Sequence, residues 1–69
     1  MNEIKFGIRL KELRKENGIT QVRLANDLNV TKATVNDWEH EKCETSFSML
    51  AKIAKYFNVS TDYLLGLED

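Results

Sequence analysis

Residues 20–39 read TQVRLANDLNVTKATVNDWE, and this stretch decides the fold. Thr20 can begin a helix by accepting a hydrogen bond from a backbone amide of the first turn. The apolar positions that follow share one helical face, and they are Leu24, Ala25 and Leu28. Asn29 belongs to the residue type that most often adopts a positive φ without being glycine, and Thr31 can cap another helix. The stretch therefore predicts two helices joined by a turn of about three residues.

The same rules predict three more helices around this pair. The chain has no proline and three glycines, so helices are favoured over strands. We expect helices over about 3–17, 20–28 and 32–40, a fourth that Ser46 caps, and a short fifth that Ser60 caps. We expect helices to end at residues with a left-handed backbone conformation, namely Gly18, Asn29, Asn58 and Gly66. The apolar stripes of the first and fourth helices are Phe6, Leu10 and Leu13, then Phe47, Leu50, Ile53, Ala54 and Phe57, and the fifth helix contains Tyr63, Leu64 and Leu65.

Length and composition describe one small globular unit. The chain has 69 residues, of which 42% are hydrophobic and 30% are charged, and its net charge is −1. We therefore expect a single all-α domain over 1–69. The low net charge excludes a strongly basic, non-specific nucleic-acid binder. A single cysteine, Cys43, and the lack of a long apolar run predict a cytoplasmic protein with no membrane span.

The sequence contains no pattern typical of catalysis or metal binding. No serine–histidine–aspartate arrangement, phosphate-binding glycine loop or carboxylate pair stands out. His40 and Cys43 have no further ligands at metal-binding spacing. We expect no enzyme, no cofactor, no metal site and no small-molecule substrate. A redox-sensing Cys43 remains an alternative to an inert thiol.

The third helix has one polar and one apolar face. At 100° per residue, Val35 and Trp38 lie on the apolar side. The polar arc holds Lys32, Ala33, Asn36, Asp37 and His40. Lysine, asparagine and aspartate can hydrogen-bond base edges in the DNA major groove, and an alanine methyl can contact thymine. A merely solvated face is the alternative, but the preceding helix and tight turn complete a helix-turn-helix, which favours DNA reading.

Together with SFSMLAKIAKYFNVSTDYLLG at 46–66, these residues resemble the lambda-repressor-like, Cro-type helix-turn-helix family of transcriptional regulators. The resemblance covers about Phe6 to Gly66. It implies base reading by Lys32, Ala33 and Asp37, with Thr34 and Asn36 either joining them or contacting phosphate, and a DNA-backbone contact by Gln21. We expect Asn36 to read bases, and Thr34 to contact the DNA backbone together with Thr31. The resemblance also implies that Gln21 supports a base-reading side chain. Finally, it implies an ion pair between Arg14 and Glu39, although two unrelated surface charges are the alternative.

The chain departs from the family pattern after the third helix. His40 and Glu41 replace the usual Asn-Gly, which brings a carboxylate near the expected phosphates and should weaken binding. Lys42 is the nearest compensating cation and a candidate DNA-backbone contact, with a solvated loop lysine as the alternative.

These features predict a sequence-specific transcriptional repressor that binds a near-palindromic DNA operator as a homodimer. One module with about two or three base contacts cannot supply the usual specificity, whereas two half-sites can. Three leucines near the end of the chain are candidate dimer contacts, with internal packing as the alternative: Leu64, Leu65 and Leu67. The alternative function is a protein-interaction module of the same fold, such as an antitoxin or antirepressor target, with weak or no DNA binding.

Overall fold

Five helices make up the computed structural model, which describes residues 4–68. They are α1 Phe6–Glu16, α2 Gln21–Leu28, α3 Lys32–Glu39, α4 Phe47–Phe57 and α5 Thr61–Leu65. No strand occurs in that range, so the predicted all-α class is confirmed. The first helix begins at Phe6, because Ile4 and Lys5 are not helical, and position 3 lies outside the described residues.

Side-chain hydroxyls begin four of the helices, as predicted. Each accepts a hydrogen bond from the backbone amide three residues further on, and they are Thr20, Thr31, Ser46 and Ser60. The predicted left-handed positions are also confirmed, at Gly18, Asn29, Asn58 and Gly66. Glu41 adopts a positive φ of 58° that the sequence did not predict. These local signals fix the turn between α2 and α3 to Asn29, Val30 and Thr31.

The apolar stripes of the helices meet in one core. Its wholly buried side chains are Leu10, Leu24, Leu28, Val35, Ile53 and Leu64. Trp38 of α3 packs edge-on against Phe6 of α1, with the ring centroids 6.1 Å apart. Because α3 contacts both α1 and α2, one side of α3 is fixed in the core and the other lies at the surface.

Two apolar predictions are wrong. Phe47 was expected on the inward stripe of α4 but is 91% exposed. It is the first residue of α4, and helical side chains point towards the helix start, so it lies over the α3–α4 connection beside Cys43 and Thr45. Leu64 was expected at a dimer surface but is wholly buried in the core, because it is the inward residue of the short helix α5.

Candidate nucleic-acid interface

The outer face of α3 carries the four residues predicted to read bases. Val35 and Trp38 point inward and are 0% and 4% exposed, which fixes the rotation of the helix. The opposite side is accessible and holds Lys32 and Ala33, which are exposed, with Asn36 and Asp37, which are half-buried. The helix therefore presents these side chains on one surface.

The first turns of α2 and α3 lie beside this face. The Thr31 hydroxyl accepts from the Thr34 amide at 3.1 Å, and the two threonine hydroxyls are 2.9 Å apart. Gln21 opens α2 and donates to Asn36 in the middle of α3. The first amides of a helix lack intrahelical partners and carry partial positive charge, so they are suited to a phosphate. Gln21, Thr31 and Thr34 are thus close to the predicted base readers.

A buried ion pair joins α1 to the end of α3. Arg14 Nε donates to Glu39 Oε2 at 2.7 Å, and Arg14 Nη2 donates to Glu39 Oε1 at 3.1 Å. The side chains are 11% and 1% exposed. A third bond of 3.0 Å runs from Arg14 Nη1 to the Ile19 carbonyl, at the entrance to α2. The hydrogen bond that Arg14 donates to Glu39 raises the pKa of Arg14 against the effect of desolvation, so the guanidinium stays charged.

Gln21 connects this ion pair to the surface. Its Nε2 donates to Glu39 Oε1 at 3.0 Å and to Asn36 Oδ1 at 3.2 Å. The two amide hydrogens of Gln21 are therefore both used inside the protein. A phosphate contact by Gln21 in this arrangement has to come from its backbone amide, while its side chain supports Asn36.

The exit from α3 is held by two contacts. His40 Nδ1 lies 2.8 Å from the Asn36 carbonyl. Glu41 Oε1 accepts from the Gly7 amide at 2.6 Å, so this carboxylate lies at the start of α1. A negative charge there is favourable, because the first turn of a helix carries partial positive charge. Lys42 follows in the connection to α4 and is exposed.

Sequence reasoning missed a second polar cluster, between α2 and α4. The Tyr56 hydroxyl donates to Asp27 Oδ2 at 2.6 Å, and Arg23 Nε donates to the same oxygen at 3.0 Å. The tyrosine hydrogen bond, followed by the arginine, lowers the pKa of Asp27, and the aspartate raises the pKa of Tyr56. Only the Arg23–Asp27 spacing of four could have been found in the sequence, since Tyr56 is 29 residues away.

Residues 4–68 contain neither a metal-binding cluster nor a membrane-spanning helix. No group of three or more histidine, cysteine, aspartate or glutamate side chains could hold a metal ion. No helix in that part of the chain is both long enough and apolar enough to cross a membrane.

Comparison with known proteins identifies relatives with similar sequences. The helix-turn-helix family HTH_3 matches residues 10–64. The HTH-type transcriptional regulator ImmR of Bacillus subtilis is 38% identical over 64 residues, which are 93% of this chain and 50% of ImmR. The immunity repressor protein of Bacillus phage phi105 is 32% identical over 90% of this chain and 43% of its own length. The chain thus spans about half the length of these relatives.

Solved structures match the arrangement of the helices. A transcriptional regulator from Listeria innocua superposes with a TM-score of 0.90 at 29% identity, over 99% of this chain and 64% of that one. The P22 c2 repressor, solved in complex with a synthetic operator, gives a TM-score of 0.85 at 26% identity, over 99% and 100% of the two chains. On the family match, the relatives and the shared fold, the chain belongs to the lambda-repressor-like helix-turn-helix family of transcriptional regulators.

Proposed function

We propose that this chain is a sequence-specific DNA-binding repressor whose helix α3 enters the major groove of an operator. The observation that carries the proposal is the division of α3, with Trp38 and Val35 fixed in the core and the base-reading candidates on the open face. The P22 c2 repressor, which has the same fold and was solved in complex with a synthetic operator, supports operator binding by this chain. A cytoplasmic location and the absence of catalytic activity are part of this proposal.

Individual residues take separate parts in the proposed complex. Side chains of Lys32, Ala33, Asn36 and Asp37 read base edges in the groove. Thr31, Thr34, Lys42 and the Gln21 backbone amide contact phosphates on either side. The Arg14–Glu39 pair contacts no DNA and holds α3 against α1.

The salt dependence of binding tests the function. A dimer that neutralises about six phosphates should show a slope near −5 when the logarithm of the association constant is plotted against that of salt concentration. Fluorescence anisotropy with a duplex selected from random sequences measures it. A slope near zero would instead favour a protein-interaction module, for which the net charge of −1 is suitable.

Lys32→Ala separates base reading from phosphate contact. If Lys32 reads a base, its loss should weaken operator binding by about 1–3 kcal/mol and relax the preference at one position. Random-sequence DNA should be bound almost as before. Equal losses on operator and random DNA would show that Lys32 contacts only phosphate.

Dimer formation is the second part of the proposal. A cavity of about 420 Å³ is lined in part by apolar side chains, among them Ile4, Phe47 and Leu65. Leu67 is also exposed, at 55%. A second copy is the proposed occupant, because one module has too few base contacts for operator specificity. Leu65 and Leu67 remain candidate contacts, and Phe47 replaces the buried Leu64.

Sedimentation of the free protein tests this surface. Phe47→Ser removes two aromatic side chains from a symmetric interface and should weaken dimerisation about 100-fold or more. Val22→Ser is the matched control, because Val22 is an exposed apolar residue of α2 outside the cavity lining. Identical sedimentation of the Phe47→Ser protein and the unaltered chain would exclude Phe47 from the contact.

A further inference from the structure

We infer that Asn36 presents a hydrogen-bond donor to DNA and selects guanine, because the buried ion pair fixes the orientation of its amide through Gln21. The inference deepens the proposed function and depends on it.

The buried end of the network can only accept hydrogen bonds. Glu39 is 1% exposed at its side chain and forms a two-bond pair with Arg14, so its oxygens act as carboxylate acceptors. Oε1 receives a further bond from Gln21. Only the NH₂ half of the Gln21 amide can make that bond, since its oxygen facing a carboxylate would be repelled.

The orientation of Gln21 then fixes that of Asn36. One hydrogen of Gln21 Nε2 is given to Glu39, and the other points to Asn36 at 3.2 Å. The partner of an N–H must be an acceptor, so Asn36 turns its Oδ1 to Gln21. Reversing the Asn36 amide would place two donors against each other and leave one unpaired.

The other half of the Asn36 amide is therefore available at the surface. Its Nδ2 has no hydrogen bond among the described residues, and no side-chain nitrogen or oxygen buried there lacks a partner. Nδ2 consequently reaches solvent, on the face that carries Lys32 and Ala33. Asn36 offers two N–H donors, while its oxygen is held by the protein.

A donor-only asparagine has a different base preference from a free one. A free asparagine pairs with adenine by donating to N7 and accepting from N6. Because one lone pair of Oδ1 accepts from Gln21 and directs the oxygen towards α2, Asn36 offers a base its Nδ2 donors ahead of the paired donor and acceptor that adenine needs. Guanine supplies two acceptors, N7 and O6, to the two N–H groups, whereas cytosine presents only the N4 donor. Gln21, Glu39 and Arg14 act here as positioning residues for Asn36.

Selection of bound duplexes from a random library tests the inference with the purified chain. The position read by Asn36 is the one whose preference disappears in Asn36→Ala. The unaltered chain should prefer guanine there over adenine by about 5- to 100-fold. Asn36→Asp, which replaces the donor by an acceptor of the same shape, should shift the preference to cytosine or adenine. Gln21→Leu releases Oδ1 and should bring adenine close to guanine.

The controls separate this inference from the proposed function. Asn26→Asp makes the same change of charge at an exposed position of α2 and should leave the selected sequence unchanged. If the unaltered chain selects no sequence, the proposed function fails. If it selects a clear operator but prefers adenine at the Asn36 position, or if Asn36→Ala changes no position, the operator function stands and the inference is overturned.

Discussion

Two arginine–carboxylate pairs lie at opposite extremes of burial in this molecule. Arg14 and Glu39 join α1 to α3, with side chains 11% and 1% exposed. Arg23 and Asp27 lie along α2 with side chains 68% and 31% exposed, and Tyr56 of α4 completes that cluster. In each pair the arginine Nε lies within 3.0 Å of a carboxylate oxygen. The two pairs therefore differ strongly in exposure to water, and Arg14 also makes more hydrogen bonds than Arg23.

The difference in burial gives the two pairs different effects on stability. A buried carboxylate that loses its cation is left in a poorly polarisable interior, whereas an exposed one is resolvated. Arg14 and Glu39, the inner pair, thus fix the position of α3 relative to α1. Glu39 also orders Gln21 beside the base-reading face. Arg23, Asp27 and Tyr56, the outer cluster, add a contact between α2 and α4 at the surface, where salt and water weaken it.

Removing the inner arginine should give the largest effect. Arg14→Met keeps most of the side-chain volume but leaves the Glu39 carboxylate buried without a cation, which should cost about 3–5 kcal/mol of unfolding free energy. Urea denaturation followed by circular dichroism measures the loss. Adding Glu39→Gln should recover part of it, because a neutral amide is less costly to bury.

The matched change in the outer pair is Arg23→Met. Because its partner Asp27 is exposed and keeps the Tyr56 hydrogen bond, the expected loss is a small fraction of that for Arg14→Met. Similar losses for the two variants would mean that burial does not distinguish the pairs, and the comparison would fail.

The close approach of α1 to the end of α3 gives the next largest effect. A Cβ on Gly7 would collide with the Trp38 carbonyl oxygen and lie 2.9 Å from the Glu39 carbonyl oxygen. Backbone atoms cannot turn away as a side chain can. Gly7→Ala should therefore destabilise the protein by about 2 kcal/mol, in spite of the better helix propensity of alanine.

Gly18→Ala is the control for this prediction. Gly18 has a φ of 65°, and no neighbouring atom lies within 4 Å of the position that a Cβ would take. Alanine there would therefore meet backbone strain alone, which should lower the unfolding free energy by about 1 kcal/mol. Thermal unfolding of both variants measures the difference. If Gly7→Ala were as stable as the unaltered chain, the α1–α3 contact would be looser than the structure has it.

Contacts between residues close in sequence were predictable, and distant ones were not. The caps at Thr20 and Thr31 and the left-handed Asn29 depend on neighbours within four residues, so they can be read from order alone. The Glu41–Gly7 bond spans 34 residues and has no local pattern. Phe47 failed because helical spacing defines a face but does not tell whether another helix covers its first turn.

The candidate site also combines features that the sequence predicts with contacts that need the coordinates. The polar arc of α3 followed from a rotation of 100° per residue and from the position of Trp38. The Arg14–Glu39 pair followed from family resemblance, and the structure contains it. The bond from Gln21 to Asn36 needed coordinates, because it depends on how two helices cross and on which amide atom faces which.

The outer cluster should give the smallest effect and a characteristic dependence on pH. The Tyr56 hydrogen bond lowers the pKa of Asp27 below 3.8, so the stability gained from that carboxylate is present above pH 3.8 and is lost as pH falls through the folded-state pKa. The same bond raises the pKa of Tyr56 above 10.0, so its contribution is present below pH 10.0 and is lost as pH rises through the folded-state value.

Tyr56→Phe removes the hydroxyl and retains the ring. The unaltered chain should exceed this variant in unfolding free energy by a constant amount between about pH 5 and about pH 9, and the difference should shrink at both ends. Tyr63→Phe is the matched control, since Tyr63 holds its ring against Arg9 and has no hydroxyl bond to Asp27. Denaturant titrations across this range measure both differences. A Tyr56→Phe difference that stayed constant from acid to alkali would mean that neither Asp27 nor Tyr56 is stabilised by the contact, and the link between α2 and α4 would then depend on apolar packing alone.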